Sequence, residues 1–334
     1  MKKVILILSL VLSFNAYSEI VTGDKCGDNC TWTFDTNTGK LTVSGIGDMY
    51  DWTMNKISTT KLWEKDITHY QTTAPWKEYS TSIQTIDIQD GITSIGAAAF
   101  YNTTVSDVVM PNSITKIATH AFQYAANLTE ATLPKNLTNI EHAAFADASV
   151  SSFVIPESLQ SFGTYPFYSQ SLENLVFEGD VDIKKNMFSN NTGYIPETLS
   201  SIYCQASNTS CQGFKNDEQI GDKINVYEKQ GGVYILENGT KFLSAADMAG
   251  GTNICNKELN ECKRAVLEAK GICQGSSCDT FIQSDGNYML KFGGKTYQNI
   301  NALLKGDYDR RRIYTIEEAN FVAGDKNRVS IKYR

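Results

Sequence analysis

The chain has 334 residues, 41% of them hydrophobic and 20% charged, with a formal net charge of −7. That composition excludes an intrinsically disordered chain and is enough for two or three small domains. The acidic balance argues against nucleic acid or an anionic membrane as the main partner.

The first eighteen residues stand apart. Lys2 and Lys3 precede an apolar run from Val4 to Phe14, and Ala16 and Ser18 are the small residues of a cleavage site. This is the pattern of a secretory signal peptide over 1–18, with cleavage expected after Ser18. No later segment approaches the ~20 apolar residues of a membrane span, so no membrane insertion is expected once the leader is removed. The expected location is outside the cell, at its surface, or in the periplasm.

Residues 19–80 read as an N-terminal β cap. They hold all four tryptophans, Trp32, Trp52, Trp63 and Trp76. "TWTFDTNTGKLTVSG" alternates apolar and polar residues on both sides of "DTNTG", the sign of a β-hairpin. The chain then runs through a polar, threonine-rich stretch to "APWKEY". A terminal repeat has no neighbour over its core, and bulky aromatics suit the covering task. Carbohydrate stacking is the alternative role for these tryptophans.

Residues 81–214 repeat every 22 or 23 positions. Ile86, Ile88, Ile92, Ile95 and Phe100 correspond to Val108, Met110, Ile114, Ile117 and Phe122. The next rows are Ala131, Leu133, Leu137, Ile140, Phe145 and then Phe153, Ile155, Leu159, Phe162, Phe167. A fifth row, Leu175, Phe177, Val181, Lys184, Phe188, decays, with a lysine in an apolar slot. Pro111, Pro134 and Pro156 follow the strand, where a missing N–H ends the ladder. No single repeat buries its apolar residues alone; stacked at about 4.8 Å, each covers the next and the phenylalanines form a ladder. About five such repeats predict a β-rich solenoid.

Within each strand, side chains alternate, so Asp87, Val109, Thr132, Val154 and Val176 should point outward in one row. Asp107 and Glu130 precede two of them on the same face. These seven residues are the candidate ligand-binding surface, an apolar stripe beside acids suited to a protein with a basic, apolar patch. The competing reading is that exposed strands favour β-branched residues. The repeat segment carries four basic and twelve acidic residues between 83 and 214.

Residues 215–334 read as a small, disulfide-stapled α+β domain. "GGVYILENGTKF" and "GNYMLKFGGKTY" are two hairpins with glycine turns, each leading to a short helix, "SAADMAG" and "NINALLKG". Between them a helix is expected from Glu258 to Lys270, with Leu259, Cys262, Val266 and Ala269 on one face. "TIEE" at Thr315 and Glu318 reads as a capping box for a last helix, and "RVSIKYR" as a closing strand. From residue 305 onward there are eight basic and five acidic residues. This tail, with "RRR" at 310–312, is either a solvated stretch or a contact for an anionic envelope polymer.

The eight cysteines are Cys26, Cys30, Cys204, Cys211, Cys255, Cys262, Cys273 and Cys278. An even count in an exported chain reads as four disulfides. Cys26–Cys30 and Cys204–Cys211 should close locally. A helix running from Cys255 to Cys262 would separate their Cα atoms by about 10.5 Å, beyond the ~7 Å a disulfide spans, so these two are expected to pair with Cys273 and Cys278. Zinc held by the last four is the rival reading, and no histidine lies nearby. C-x-x-x-C at Cys26 lacks the spacing of a redox pair.

No catalytic motif is present: G-x-S-x-G, H-E-x-x-H and phosphate loops are absent. His120 and His142 sit two and three residues before Phe122 and Phe145 of their repeats, a metal or catalytic pair on adjacent coils or two surface histidines. No cofactor or metal is expected, and the chain reads as a non-enzyme.

The pattern strand–P-x-x-[IL]-x-x-I-G-x-x-A-F, here "VVMPNSITKIATHAF" and "ATLPKNLTNIEHAAF", resembles the BspA-type (Treponema-type) leucine-rich repeats of bacterial surface proteins. "CGDNCTWTFDTNTGKLTVSGIGDMYDW" is similar to the leader that precedes such repeats. The resemblance covers roughly residues 26–203. It implies a right-handed leucine-rich-repeat solenoid, export to the cell surface, and adhesion to host or bacterial proteins without catalysis. Where the family often has a cysteine after "AF", this chain has Asn102, Tyr124 or Asp147. A structural envelope or spacer protein with no specific ligand is the alternative.

Overall fold

The computed structural model describes residues 19–62, 65–284, 290–297, 299–306, 316–321 and 329–333. The leader at 1–18, Trp63 and the "RRR" stretch lie outside them. The chain divides into two compact units, residues 1–228 with 234–254, and residues 229–233 with 255–334.

The first unit opens with strands β1 (Ile20–Gly27), β2 (Cys30–Asp35) and β3 (Lys40–Gly45), paired antiparallel. Asp35 Oδ1 accepts from the N–H of Asn37 at 2.9 Å and Gly39 takes a φ of 67°, so the expected hairpin turn forms at "DTNTG". Trp32 and Phe34 alternate inward from β2, and Leu41 and Val43 from β3. A short β4 (Gly47–Asp48) follows. The threonine-rich stretch, to which the sequence reading assigns no element, is a hairpin of β5 (Met54–Leu62) and β6 (Lys65–Thr72). Its β-branched residues favour extended backbone even though most of its side chains meet water.

Repeat strands then stack in two ladders. In the first, β7 (Thr85–Ile88) pairs parallel with β3, setting Ile86 beside Leu41. The coil continues through β8 (Ile92–Ile95), β9 (Asp107–Val109), β10 (Lys116–Ile117), β11 (Asn139–Ile140), β12 (Ser152–Ile155), β13 (Ser161–Phe162) and β14 (Asn174–Phe177). One sheet runs β4, β8, β10, β11, β13 through successive coils. Each proline opens a tight turn, its carbonyl accepting from the residue three on: Ile114 to Pro111, Leu137 to Pro134, Leu159 to Pro156. Inside, the rings of Trp76, Phe100, Phe122 and Phe145 stack at centroid distances of 5.4, 5.2 and 5.1 Å. Repetition thus supplies what one coil lacks, a covered apolar face on both sides.

The fifth row is sound, not decaying. Lys184 is exposed and Ile183 takes the buried place beside it, with Met187 and Phe188 fully buried. Strands also continue past the expected boundary at residue 214. β15 (Ser201–Gln205) pairs with β14, α1 (Thr209–Gly213) follows, and β16 (Ile224–Gln230) pairs with β15. Cys204, inward on β15, is bonded to Cys211 on α1. Then come β17 (Val233–Leu236), β18 (Lys241–Phe242) and α2 (Ala245–Gly250). Residues 215–228 and 234–254 therefore belong with the repeats, because their strands extend the repeat sheet.

The second unit contains α3 (Leu259–Ala269), α4 (Ser277–Ser284), β19 (Leu290–Phe292), β20 (Lys295–Tyr297) and α5 (Ile300–Lys305). Leu267, Cys278, Leu290, Tyr297, Ile300 and Leu303 form its core. The hairpin–helix likeness read from sequence is present in both units. Ser244 and Asn299 cap α2 and α5, accepting from Asp247 and Ala302 N–H groups, and left-handed Gly251 and Gly306 end them. The expected last helix is not formed: β21 (Ile316–Phe321) pairs antiparallel with β22 (Val329–Tyr333). Pairing with a neighbouring strand overrides the local helix signal of "TIEE".

The last four cysteines pair locally as Cys255–Cys262 and Cys273–Cys278, which corrects the crossed expectation. Helix α3 starts at Leu259, so Cys255 lies on extended chain and folds back within 6.0 Å. With all four in disulfides, their thiolates are not available to zinc.

Candidate binding faces

The seven residues of the expected outward row meet three different fates. Asp87 is half-buried and its carboxylate is paired with Lys40 at 2.6 Å. On the next coil Asp107 is exposed and Val109 is 50% exposed, with Asp87 and Val109 in direct register across the ladder. Glu130 and Thr132 are exposed, but no strand forms there. The coil carries one extra residue at this point: two residues separate buried Ala125 and Leu128, where one separates Thr103 from Val105 and Ala148 from Val150. An added residue leaves a ladder position unpaired and breaks the register. The segment still runs beside the previous coil, since Asn127 Nδ2 donates to the Thr104 carbonyl at 3.2 Å and the Lys135 N–H to Asn112 Oδ1 at 2.9 Å.

Val154 and Val176 are not exposed, which overturns the apolar stripe at that end. Val176 has no accessible surface and clusters with Tyr227, Tyr234, Phe242, Ala245, Met248 and Ala249, while Val154 and Tyr203 pack at the edge of the cluster. Helix α2 lies over β12 and β14. Tyr234 Oη donates to Glu178, and Tyr227 Oη donates to the Phe177 carbonyl at 2.8 Å. Burial drives both phenols up beyond their ordinary range, with Glu178 adding to the effect. Strand alternation correctly turned Val176 away from the solenoid core; it could not reveal that the chain returns to cover it.

The opposite face of the coils is built by the turns around "AF". Successive turns are tied by backbone bonds: Phe100 N–H to the Ala121 carbonyl at 2.8 Å, Phe122 to Ala144 at 2.7 Å, Phe145 to Pro166 at 2.8 Å. Each turn forces left-handed residues, including Asn102, His120, Tyr124, Asp147 and Tyr165. A non-glycine residue there costs roughly 1–2 kcal/mol, least for Asn and Asp. His120 and His142 do meet, ring edge to face at 5.1 Å. His142 shares hydrogen bonds with Thr164 Oγ1 at 2.5 Å and Tyr165 Oη at 2.9 Å, while His120 Nδ1 is buried without a partner. Burial, then His142, lowers the His120 pKa. Beside them the Tyr101 and Tyr124 rings meet edge to face at 5.6 Å. Burial, with Tyr124, Tyr70 and Asp147 adding charge, pushes the Tyr101 phenol up to about 12. The Asp147 carboxyl is raised by burial alone. Sequence reading passed over these tyrosines, although "AFYN", "AFQY" and "PFYS" repeat an aromatic after each phenylalanine.

Among the described residues, no three His, Cys, Asp or Glu side chains are placed to hold a metal ion, and no helix is long and apolar enough to cross a membrane. Of the tryptophans, Trp32 and Trp76 are buried in the core, Trp32 edge-on to Trp76 at 6.0 Å, and cannot stack on a sugar.

No curated protein matches the chain. It is similar to a leucine-rich repeat protein from Eubacterium ventriosum, at 20% identity over 55% of this chain and 56% of that one, with a TM-score of 0.37. A leucine-rich repeat protein from Bacteroides ovatus shares 20% identity over 55% of this chain and 47% of its own, with a TM-score of 0.34. A leucine rich cell surface protein from Faecalibacterium prausnitzii shares 15% over 57% and 68%, with a TM-score of 0.24. The chain spans about half the length of the first two. Residues 78–206 match the family described as the BspA type leucine rich repeat region, in six copies. This segment is therefore a BspA-type leucine-rich-repeat region.

Proposed function

We propose that the chain is an exported, non-catalytic binding module that holds a protein ligand at the uncovered part of its strand face. The leader over 1–18 would direct export, with cleavage after Ser18, to the cell surface or beyond it. The supporting observation is Val109, half exposed on a regular strand, beside exposed Asp107 and followed on the next coil by exposed Glu130 and Thr132. An apolar side chain flanked by exposed acids suits a partner that presents a basic, apolar patch.

The test is capture from intact cells on the immobilised full chain, compared with a variant carrying Asp107→Lys, Val109→Glu and Glu130→Lys. The variant should melt with the wild type and lose the captured protein. Undiminished capture places the ligand elsewhere.

A structural spacer without a specific ligand is favoured by one observation, the self-coverage of Val176, which removes apolar surface from the face. A contact between the basic tail and an anionic envelope polymer belongs to either reading.

A further inference from the structure

The turn face differs in chemistry from the strand face. Residues 97–103, 119–125, 142–148 and 164–170 contain no lysine or arginine. They present instead tyrosines, amides, hydroxyls and imidazoles around a single carboxylate. Tyr124 is the exposed aromatic of these segments, 42% accessible. Tyr101 is buried behind it, its ring edge to face with that of Tyr124 at 5.6 Å.

The one carboxylate of this face has no partner among the described residues. Asp147 is half-buried, yet no side chain among the described residues donates a hydrogen bond or pairs its charge with its carboxylate. A half-buried carboxylate without a protein donor keeps its acceptor capacity free for a bound hydroxyl. Tyr124 is a bulky residue at a φ of 60°, where the equivalent position one coil earlier holds Asn102, which tolerates that conformation. The turn imposes that conformation, and the Tyr124 ring packs edge to face on Tyr101 while the residue stays 42% accessible.

The backbone ladder between coils makes the surface rigid. Asn102 N–H donates to the Gln123 carbonyl at 2.8 Å, Tyr124 to Ala146 at 3.0 Å and Asp147 to Tyr168 at 2.8 Å. Side chains at successive turns therefore repeat along one axis at coil spacing, a fixed row of ring, carboxylate and amide. An extended chain of repeating units with apolar faces and hydroxyl edges is the complement of such a row. A cationic protein segment would instead be met by several carboxylates, and here there is one. The rings supply stacking area at small entropic cost, and the carboxylate and amides supply hydrogen bonds to hydroxyls.

We propose that the turn face around Tyr124 and Asp147, with Tyr101 packed behind Tyr124, is a binding site for a neutral glycan chain, with Tyr124 stacking on a sugar ring and Asp147 accepting from its hydroxyls. This site is separate from the strand face and does not depend on a protein ligand there.

The experiment is calorimetric titration of the full exported chain with cellohexaose, maltohexaose, xylohexaose and chitohexaose at up to millimolar concentration. At least one should bind. Tyr124→Asn, which places at 124 the residue already accepted at 102, should fold at least as stably and bind about tenfold or more weakly. Tyr124→Phe keeps the ring and should stay within a few fold, Asp147→Asn should weaken binding about tenfold, and Val109→Glu on the other face should leave it unchanged. Absence of binding by all four saccharides overturns the proposal, as does binding indifferent to both Tyr124→Asn and Asp147→Asn. Binding of a trilysine peptide in their place, lost in Asp147→Asn, overturns it in favour of a cationic protein ligand.

Discussion

Cys255 and Cys262 are joined across a Cα–Cα distance of 6.0 Å, with Cys255 four residues ahead of the first helical residue, Leu259. A regular helix between them would hold them at about 10.5 Å, so the disulfide and the helix start determine each other. Tryptic mapping without reduction should recover the peptide holding Cys255 linked to that holding Cys262, and Cys273 linked to Cys278 within one peptide. A Cys255 peptide linked to Cys273 or Cys278 would contradict the fold of this unit. Removing the Cys204–Cys211 bond by paired Cys→Ser changes should lower stability by about 2–3 kcal/mol, the loop-entropy value for so short a ring.

The ring ladder predicts where the solenoid is vulnerable. Phe122→Ala or Phe145→Ala opens a cavity between stacked coils and should cost ~3–5 kcal/mol in a denaturant melt. The decaying fifth row would have made Phe188→Ala cheaper. Phe188 is fully buried, and the loss should be comparable.

How far the sequence could be read depends on what fixes each feature. Phe100, Phe122 and Phe145 recur because each needs the next for cover, so the core and its stacking direction were legible from spacing alone. Lys184 misled because a one-residue shift moves Ile183 into the core, and periodicity of 22 or 23 does not resolve one residue. The fate of Val176 was illegible for a different reason. Alternation gives the side of a strand a residue faces, whereas its cover comes from residues 227–249, about fifty to seventy positions on. The same holds for Tyr101 and Tyr124, whose meeting depends on the stacking of two turns.

Val176 separates the two ends of the strand face by experiment. Val176→Glu forces a carboxylate against Met248 and its neighbours and should unfold or strongly destabilise the first unit, by several kcal/mol. Val109→Glu, at a half-exposed position, should stay within about 0.5 kcal/mol of wild type. Thermal melts of the two variants decide it. Equal, small shifts would mean that α2 does not cover Val176 in solution.

Asp147 offers a prediction of opposite sign to the usual carboxylate. Burial raises its pKa above the ordinary 3.8, so the folded state takes up a proton before the unfolded chain does. Its ionised form therefore weakens the fold above the raised pKa, and that penalty disappears as pH falls below 3.8. Asp147→Asn should be more stable than wild type at pH 7, with the gap closing toward pH 3.5. A variant less stable at pH 7 would reveal a stabilising partner for the carboxylate.

His120 works in the other direction. Burial first and the neighbouring His142 second depress its pKa below 6.5, and a hydrogen bond with Gln123 opposes the shift without cancelling it. Above pH 6.5 the imidazole is neutral in both states and its folded environment is fully tolerated. As pH falls through and below 6.5, the unfolded chain binds a proton that the folded chain resists, so stability is lost until the depressed folded pKa is reached. At this half-buried site the loss between pH 7.5 and 5.5 should not exceed about 1 kcal/mol after solvent screening. His120→Asn removes the titrating group and keeps a residue that accepts a φ of 59°. Urea melts at the two pH values should show a smaller drop for the variant than for wild type. The half-buried ring is the reason to expect it, because its Nδ1 has no hydrogen-bond partner among the described residues and the ring lies against a second imidazole. Parallel drops in the two proteins would show that acid sensitivity in this range arises elsewhere.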